Sequence, residues 1–502
     1  MSLLGIDIGS SSCKGVVFSA GGMELARESQ SYSPTIIGSA MVEIDAVVFR
    51  DAVFNVIRLL SERVEHDPIQ AFAISSHGET TIPVDKNGNA TYRAIMNSDN
   101  RAEVEVEWWD KTFGKEEIYK ITGLPLHAMF ALNKIMWIRK HKPEVYAKTE
   151  RFLSVGDYLL TQFGLPPFTD YSLACRTMAF DINNLCWSET ILDHCGLPKE
   201  KLGIPMPSGI IVGRLSKDIA SLLSLMDGTV VALGGHDQPC GALGAGAINT
   251  GDVADSAGTY ECMSAVSEKA MNSSLALKHS LNSYCHVVPD RFVTLAFFPA
   301  GLVSSWFINQ FCYEDKIIAD KASKDLFELL HENITKHCPG PTRLNITPHF
   351  VGACTPHWNV RAKGTIAGLT PEITRYHIYK AIHEGIACEL AINVNALEET
   401  VGNFSGMSIT GGNSRSPFSV QLRADITGKS FHILKINESV CLGAAILAGI
   451  SVGIYKNAAD AVKQVVQINK TILPNFQAQS DYENQMEKYK LLYNSLDGYR
   501  EL

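Results

Sequence analysis

The sequence predicts an α/β protein built as two similar domains that face each other across a cleft. Three observations predict it. The chain has 502 residues, 46% of them hydrophobic and 19% charged, which is more than one hydrophobic core organises. Strand-like apolar runs alternate with runs of helical periodicity. A pattern of strand, acid, glycine, hydroxyl and strand near the start, Leu3 to Phe18, returns half a chain later, at Asp252 to Val266. The net charge of -9 disfavours polyanion binding and so excludes nucleic acid as an expected partner.

The twelve cysteines are scattered without a paired C-x-x-C spacing, and the first residues enter a strand with no signal-peptide pattern. Reduced thiols in a cytoplasm are the expectation. Cys186, His194 and Cys195 lie close in sequence but lack a second pair of zinc ligands, so they read as packing residues. The uncharged run Ser439 to Tyr455 is broken by Gly443, Gly449 and Gly453, and reads as a small-residue helix inside a globular fold, with no membrane contact.

Taken in order, Leu3 to Ile8 is a strand, Gly9-Ser10-Ser11-Ser12 a hydroxyl-rich turn, and Gly15 to Phe18 the returning strand. Such a turn presents N-H groups and hydroxyls to an anion, and an acid just before it, Asp7, can hold magnesium; a plain polar hairpin turn is the alternative. Ala46 to Arg63 has helical spacing, and Ile69 to Ile74 is a strand. Ser75-Ser76-His77-Gly78-Glu79-Thr80 is a polar loop before the strand Ile82 to Asp85. His77 and Glu79 can bond sugar or polyol hydroxyls, with Gly78 admitting the ligand, unless the loop is a surface turn. Asp99 and Arg101 read as an internal ion pair ahead of a helix with Trp108 and Trp109. Pro125 to His141 carries Lys134 among apolar residues at helical spacing, Ser154 to Phe163 is amphipathic, and Ile182 to Lys217 reads as a looped excursion.

The stretch Leu233 to Gly246, LGGHDQPCGALGAG, follows the strand Thr229 to Leu233 and puts Asp237 at a strand-to-helix corner. Gly234 and Gly235 leave room for backbone or ligand, Gln238 adds an amide, and Pro239 suits a first helical turn. Asp237 either caps the helix or takes a proton. In the second half, Gly258-Thr259 stand where Gly9-Ser10 stood. Phe298 to Gly301 opens a helix with Ser305, Gly406 to Thr410 is a strand, and Gly411-Gly412 is a turn before a helix capped by Ser416 with Pro417 in its first turn. A helix amino terminus behind such a turn suits a nucleotide.

Six segments in order, GIDIGSSSCKG, LHAMFALNKIMWIRKHKP, GGHDQPCGALGAG, DSAGTYECM, PAGLVSSWF, and ITGGNSRSPFSVQLRADITG followed by CLGAAILAG, together resemble the FGGY family of carbohydrate kinases over nearly the whole chain. The resemblance implies two actin-like (ribonuclease H-like) domains facing a central cleft, residues 1–246 with the sugar site and first phosphate hairpin, residues 247–502 with the nucleotide site. It implies ATP and Mg2+ as cofactors. Asp237 falls on the family's catalytic aspartate, with Gln238, His77, Gly78 and Glu79 at the substrate. Asp7 and Asp237 fall at the metal. Ser10, Ser11, Ser12 and Lys14 face the phosphates with Gly258 and Thr259, while Gly301, Ser305, Gly411, Gly412 and Ser416 border the nucleotide. A sugar or polyol is the implied partner; a homodimer is one open assembly state.

A sugar hydroxyl is a poor nucleophile at neutral pH, and phosphoryl transfer needs in-line positioning, charge neutralisation and a proton acceptor, the role Asp237 would fill. The loop SSHGET is a mixed signature: its His-Gly resembles the xylulose kinase branch, its Glu-Thr the glycerol kinase branch. The glycerol branch's arginine is replaced by Gly78 and its tryptophan by Asn97, which widens the pocket and makes it more polar. The expectation is therefore a ketopentose such as xylulose, with ribulose, fuculose, erythritol or a glycerol-like polyol as alternatives. A non-metabolic actin-like ATPase has no need of Asp237 with the sugar loop. The G-x-G-x-x-G of a dinucleotide-dependent oxidoreductase is missing at the strand end.

Overall fold

Two sheets carry the chain and repeat one topology. The computed structural model describes residues 1–38 and 40–496, so 497–502, at the end of the second expected domain, lie outside the described residues. The first sheet comprises β1 (Ser2–Ile8), β2 (Ser12–Ser19), β3 (Glu24–Ser31), β4 (Ile69–Ser76), β5 (Ile211–Arg214) and β6 (Val230–His236), in spatial order β5-β6-β4-β1-β2-β3. β1, β2 and β3 form an antiparallel meander, β4 adds parallel to β1, β6 adds parallel to β4, and β5 closes the edge antiparallel.

The second sheet comprises β7 (Val253–Ala257), β8 (Tyr260–Ser267), β9 (Asn282–Cys285), β10 (Phe292–Pro299), β11 (Gly406–Thr410), β12 (Ser430–Leu434) and β13 (Ile468–Ile472), in order β9-β10-β8-β7-β11-β12-β13. β7, β8 and β10 are again antiparallel, β11 and β12 add parallel, and an antiparallel strand closes the edge. The two hairpins of the sequence are therefore the equivalent central strands of two like sheets. β9 is an addition of the second sheet alone.

Local chemistry accounts for the helices. α1 (Ala46–Arg63) begins where the Asp45 side chain accepts from the Val47 N-H, and it buries Phe49, Val53, Val56, Ile57 and Leu60. At helical spacing these share one face, each contributing about 1.5–3 kcal/mol on burial. α2 (Ala131–His141) carries Lys134, α3 (Tyr171–Cys175) starts on an Asp170 cap, and α4 (Asp237–Gly244) leaves β6 directly. In the second half lie α5 (Gly301–Phe311), α6 (Arg375–Val401), α7 (Pro417–Thr427) and α8 (Ser439–Ser451). The 182–217 stretch is less irregular than the sequence suggests: short strands Cys186–Trp187 and Ile204–Met206, the helix Glu189–Cys195 and β5 are each too brief to show a periodicity.

Glycines set the contact between the halves. A Cβ on Gly443 would lie 1.9 Å from the Cys240 carbonyl oxygen, one on Gly244 1.9 Å from that of Ser439, and one on Gly5 1.7 Å from that of Cys441. Backbone thus lies on backbone where α8, from the second half, crosses α4 and β1. A second bridge is a core that runs from Trp109, Phe130 and Leu132 of the first half to Tyr284, Val293 and Leu295 of the second. His194 packs on Trp108, Trp109 and Phe113 at 5.0–5.6 Å, and among the described residues no group of three or more His, Cys, Asp or Glu is placed to hold a metal. No described helix is long and apolar enough to cross a membrane.

Candidate active site

Asp237 opens α4, and its neighbour His236 is the residue in the cap position, with no side-chain capping bond at this helix. Of the two roles open to this acid, capping is not the one the structure gives it, because the carboxyl has other neighbours. His236 Nε2 lies 3.1 Å from Asp237 Oδ1 and His236 Nδ1 3.1 Å from the Tyr284 hydroxyl. Burial, with the Arg176 and His77 charges, holds the His236 ring well below its usual pKa. A neutral ring donating to Asp237 and accepting from Tyr284 satisfies both contacts. Burial first, then the charges of Asp7 and Glu79, pushes the Asp237 carboxyl up to about 8. A carboxyl so raised is poised to accept a proton near neutral pH.

Ile8 of β1 and His236 of β6 both pair with Ser76 of β4, so the β1 end and the α4 start stand at the same end of the sheet. Asp7 Oδ1 is enclosed and has no hydrogen-bond partner among the described residues, and burial lifts this carboxyl to about 6. An orphaned hard oxygen beside a second carboxyl suits a divalent cation that takes one or two carboxylates and fills its remaining positions with water and phosphate oxygens. Mg2+ therefore fits the residues present. Ser10 and Ser11 are exposed at the tip of the turn, where the Gly9 N-H closes on the Ser12 carbonyl at 2.9 Å. Lys14 departs from expectation. Its Nζ lies 2.6 Å from Glu438 Oε2, at the start of α8, so its charge already has an internal partner.

The second hairpin and α5 are locked together. The Gly258 carbonyl accepts from the Gly301 N-H at 3.1 Å, and the Thr259 carbonyl from those of Ala300 and Leu302 at 3.1 and 3.2 Å. A Cβ on Gly301 would stand 2.4 Å from Gly258 O, so this glycine is explained by the hairpin; Ser305 is exposed one turn further on. Gly411 has φ 85° and a would-be Cβ 2.8 Å from the Ala257 carbonyl oxygen, whereas Gly412 faces open space. Ser416 caps α7 by accepting from the Ser419 N-H at 3.2 Å, with Pro417 in the first turn.

The loop 75–80 is buried, not a surface turn, and two of its residues behave differently from expectation. His77 has both ring nitrogens engaged, Nδ1 with the Ile8 carbonyl at 3.0 Å and Nε2 with Thr80 Oγ1 at 2.7 Å. It has no nitrogen left for a hydroxyl and instead ties the loop to β1. Gly78 makes room for protein rather than ligand: its Cβ would lie 2.8 Å from Arg176 Cγ and 3.0 Å from the His236 ring. The same holds for Gly234, packed on the Ile74 carbonyl (1.9 Å), and Gly235, packed on Val287 (2.4 Å). Glu79 has φ 64°, a left-handed backbone costly for a side-chain-bearing residue and frequent at functional sites. Its carbonyl accepts from Lys134 Nζ at 3.0 Å, which also donates to the Met96 carbonyl at 2.6 Å. Burial brings Lys134 down to about 7. Asn97 Oδ1 is buried without a donor among the described residues, and Gln238 is half-buried beside Asp237.

Asp99 and Arg101 form the expected internal pair, at 2.7 Å. Arg176, His236, Asn282, Tyr284 and Glu438 contact the candidate residues, and sequence reasoning missed them. The one signal in the sequence was Arg176, a charge inside the otherwise apolar run LACRTMAF.

Residues 2–244 match the FGGY family of carbohydrate kinases, N-terminal domain, and residues 253–452 its C-terminal domain. An autoinducer-2 kinase from Klebsiella pneumoniae is 28% identical over 98% of this chain and 93% of its own length. A gluconokinase from Bacillus subtilis is 27% identical over 92% of this chain and 90% of its own. Among solved structures, the fold is shared with a xylulose kinase from Lactobacillus acidophilus (TM-score 0.87, 22% identity, 99% of this chain and 98% of that one). It is shared equally with a Plasmodium falciparum glycerol kinase with ADP (TM-score 0.85, 22% identity, 99% and 98%).

Proposed function

The chain belongs to the FGGY family of carbohydrate kinases, an ATP-dependent sugar phosphotransferase, and from that premise we propose that it phosphorylates a hydroxyl of a ketopentose such as xylulose, with Asp237 as general base. We take residues 1–246 and 247–502 as its two domains. The Asp237 carboxyl carries the reading: it lies within the electrostatic reach of Asp7 on the phosphate hairpin and Glu79 on the sugar loop, with its proton affinity raised into the neutral range. There it orients the attacking hydroxyl and takes its proton as the bond to the γ-phosphorus forms and the bond from that phosphorus to the ADP oxygen breaks. His236 and Tyr284 hold the carboxyl in place. Asp7 and Asp237 would hold magnesium, which would supply neutralisation of phosphate charge.

Ser10, Ser11, Ser12, Gly258 and Thr259 then offer hydroxyls and backbone to the phosphates, and Lys14 reaches them by exchanging Glu438. Gly412 gives the nucleotide its approach, bordered by Gly411, Ser416, Gly301 and Ser305. Glu79 and Gln238 bond sugar hydroxyls while His77 and Gly78 shape the loop around them. The free acceptor on Asn97 favours a hydroxyl-rich substrate, and the free state of all twelve cysteines suits a cytoplasmic enzyme. Autoinducer-2 is the second reading, favoured by the 28% identity with the Klebsiella enzyme.

The test is to incubate the protein with ATP and Mg2+ against ketopentoses, deoxyketoses, polyols, glycerol, aldonates and autoinducer-2, and to weigh the products. The expected result is a phosphorylated ketopentose at the highest kcat/KM. Preference for autoinducer-2 would establish the second reading, and turnover of glycerol or aldonates alone would refute both.

A further inference from the structure

Arg176 follows α3 directly and is buried, 3% exposed at the side chain. Its Nε donates to Glu79 Oε1 at 2.5 Å and its Nη1 to Asn282 Oδ1 at 3.1 Å. The guanidinium faces the Phe130 ring at 5.2 Å and the Tyr284 ring at 5.0 Å. It is therefore held by bonds in its plane and by rings against its faces, the arrangement for which a planar fork is suited and a lysine is not. We infer that Arg176 is a positioning residue for the sugar: it stands in the space that Gly78 leaves, fixes Glu79 for one substrate hydroxyl, and confines the site to uncharged sugars.

The geometry supports each part. Gly78 and Arg176 are complementary, since a Cβ at 78 would meet Arg176 Cγ at 2.8 Å. A charged donor lost from the loop is thus supplied by another element. The left-handed backbone at Glu79 (φ 64°) persists because Lys134 holds its carbonyl and Arg176 its carboxylate. Glu79 Oε1 is taken, and among the described residues no donor meets Oε2, which leaves that oxygen for a hydroxyl. A buried ion pair is a poor source of stability compared with an apolar pair of equal volume, so fixing Glu79 is the better account of its presence. Asn282 and Tyr284 lie on β9 of the second sheet, so the same guanidinium ties the sugar loop to the other half.

The consequence concerns charge. Arg176 is paired with Glu79, so its charge is not offered to a substrate carboxylate. Ketopentoses fit this site; an aldonate such as gluconate does not. This rests on the kinase reading above, with the sugar bound at Glu79.

The test measures kcat and KM for xylulose, ribulose, gluconate and ATP on wild type, Arg176→Lys, Glu79→Gln and the neutral double variant Glu79→Gln/Arg176→Met, with thermal melts on each. Wild type is expected to favour a ketopentose over gluconate at least hundredfold in kcat/KM. Arg176→Lys should raise the ketose KM about tenfold while the ATP KM stays within twofold. Glu79→Gln frees the guanidinium, so its ketose to gluconate ratio should fall at least tenfold. The double variant, which leaves no unpaired buried charge, should lose that gain for gluconate. A folded Arg176→Lys with an unchanged ketose KM, or a Glu79→Gln ratio equal to wild type, would overturn the inference while leaving the kinase reading intact. Wild type that turns over none of the sugars would overturn the inference together with the ketopentose reading.

Discussion

Asp237→Asn separates the chemistry of this site from its stability. Asparagine keeps the shape, so His236 retains an oxygen to bond, but it cannot accept the hydroxyl proton. Loss of a general base costs about 10²- to 10⁴-fold in kcat, or about 3–5 kcal/mol in the barrier. The same substitution should stabilise the fold. The folded carboxyl titrates near 8 against 3.8 in the ordinary state, an upper bound of about 6 kcal/mol at about 1.4 kcal/mol per pH unit. A quarter of the side chain (25%) reaches solvent, so about 1–3 kcal/mol is the realistic share. The sign follows from the raised affinity: relative to the variant, wild type is fully stable below pH 3.8 and loses stability as the pH rises toward 8. Melts of both proteins without Mg2+ and nucleotide, from pH 5 to 9, should therefore diverge in favour of the variant. Steady-state assays with the best sugar give kcat. Near-wild-type turnover would refute the general base, and parallel melting curves would refute the buried, proton-retaining environment assigned to this carboxyl.

Two further perturbations probe the scaffold. Gly443→Ala drives a methyl to 1.9 Å from the Cys240 carbonyl, so α8 must move off α4. We expect about 1–3 kcal/mol of destabilisation and a weakened kcat, read by thermal melt and turnover; an unchanged melting temperature would mean the crossing is looser than the backbone contact implies. Lys134→Met removes both donors from the Glu79 and Met96 carbonyls but also the cost of burying an ammonium. Because Lys134 titrates near 7 when folded and 10.5 when not, wild type should gain stability relative to the variant as the pH rises from about 7 toward 10.5. Denaturant melts at pH 6.5 and 9 would show it, and a pH-independent difference would place the charge outside the core.

The elements legible in the sequence are those made by neighbours along the chain. α1 is announced by an apolar face at helical spacing, α7 by Ser416-Pro417 and Gly428, and both hairpins by an acid and a glycine-hydroxyl turn between two strands. The position of Asp237 at a strand-to-helix corner was legible for the same reason, as was the Asp99–Arg101 pair. Gly78 misled, because what a glycine admits is decided elsewhere: it serves the Arg176 side chain, as Gly234 serves the Ile74 carbonyl and Gly443 the Cys240 backbone.

His77 spends both nitrogens on Ile8 and Thr80, a fact no spacing contains. Arg176 meets Asn282 across 106 positions, and His236 meets Tyr284 across 48. The sequence by itself determined the repeated hairpin and the acid at a strand-to-helix corner, because caps, turns and periodic faces are interactions within a few residues, and its resemblance to a kinase family implied the class of chemistry. Only the tertiary structure decided which groups are free to meet a substrate, because that depends on which partners two packed sheets bring within hydrogen-bond reach and which they keep apart.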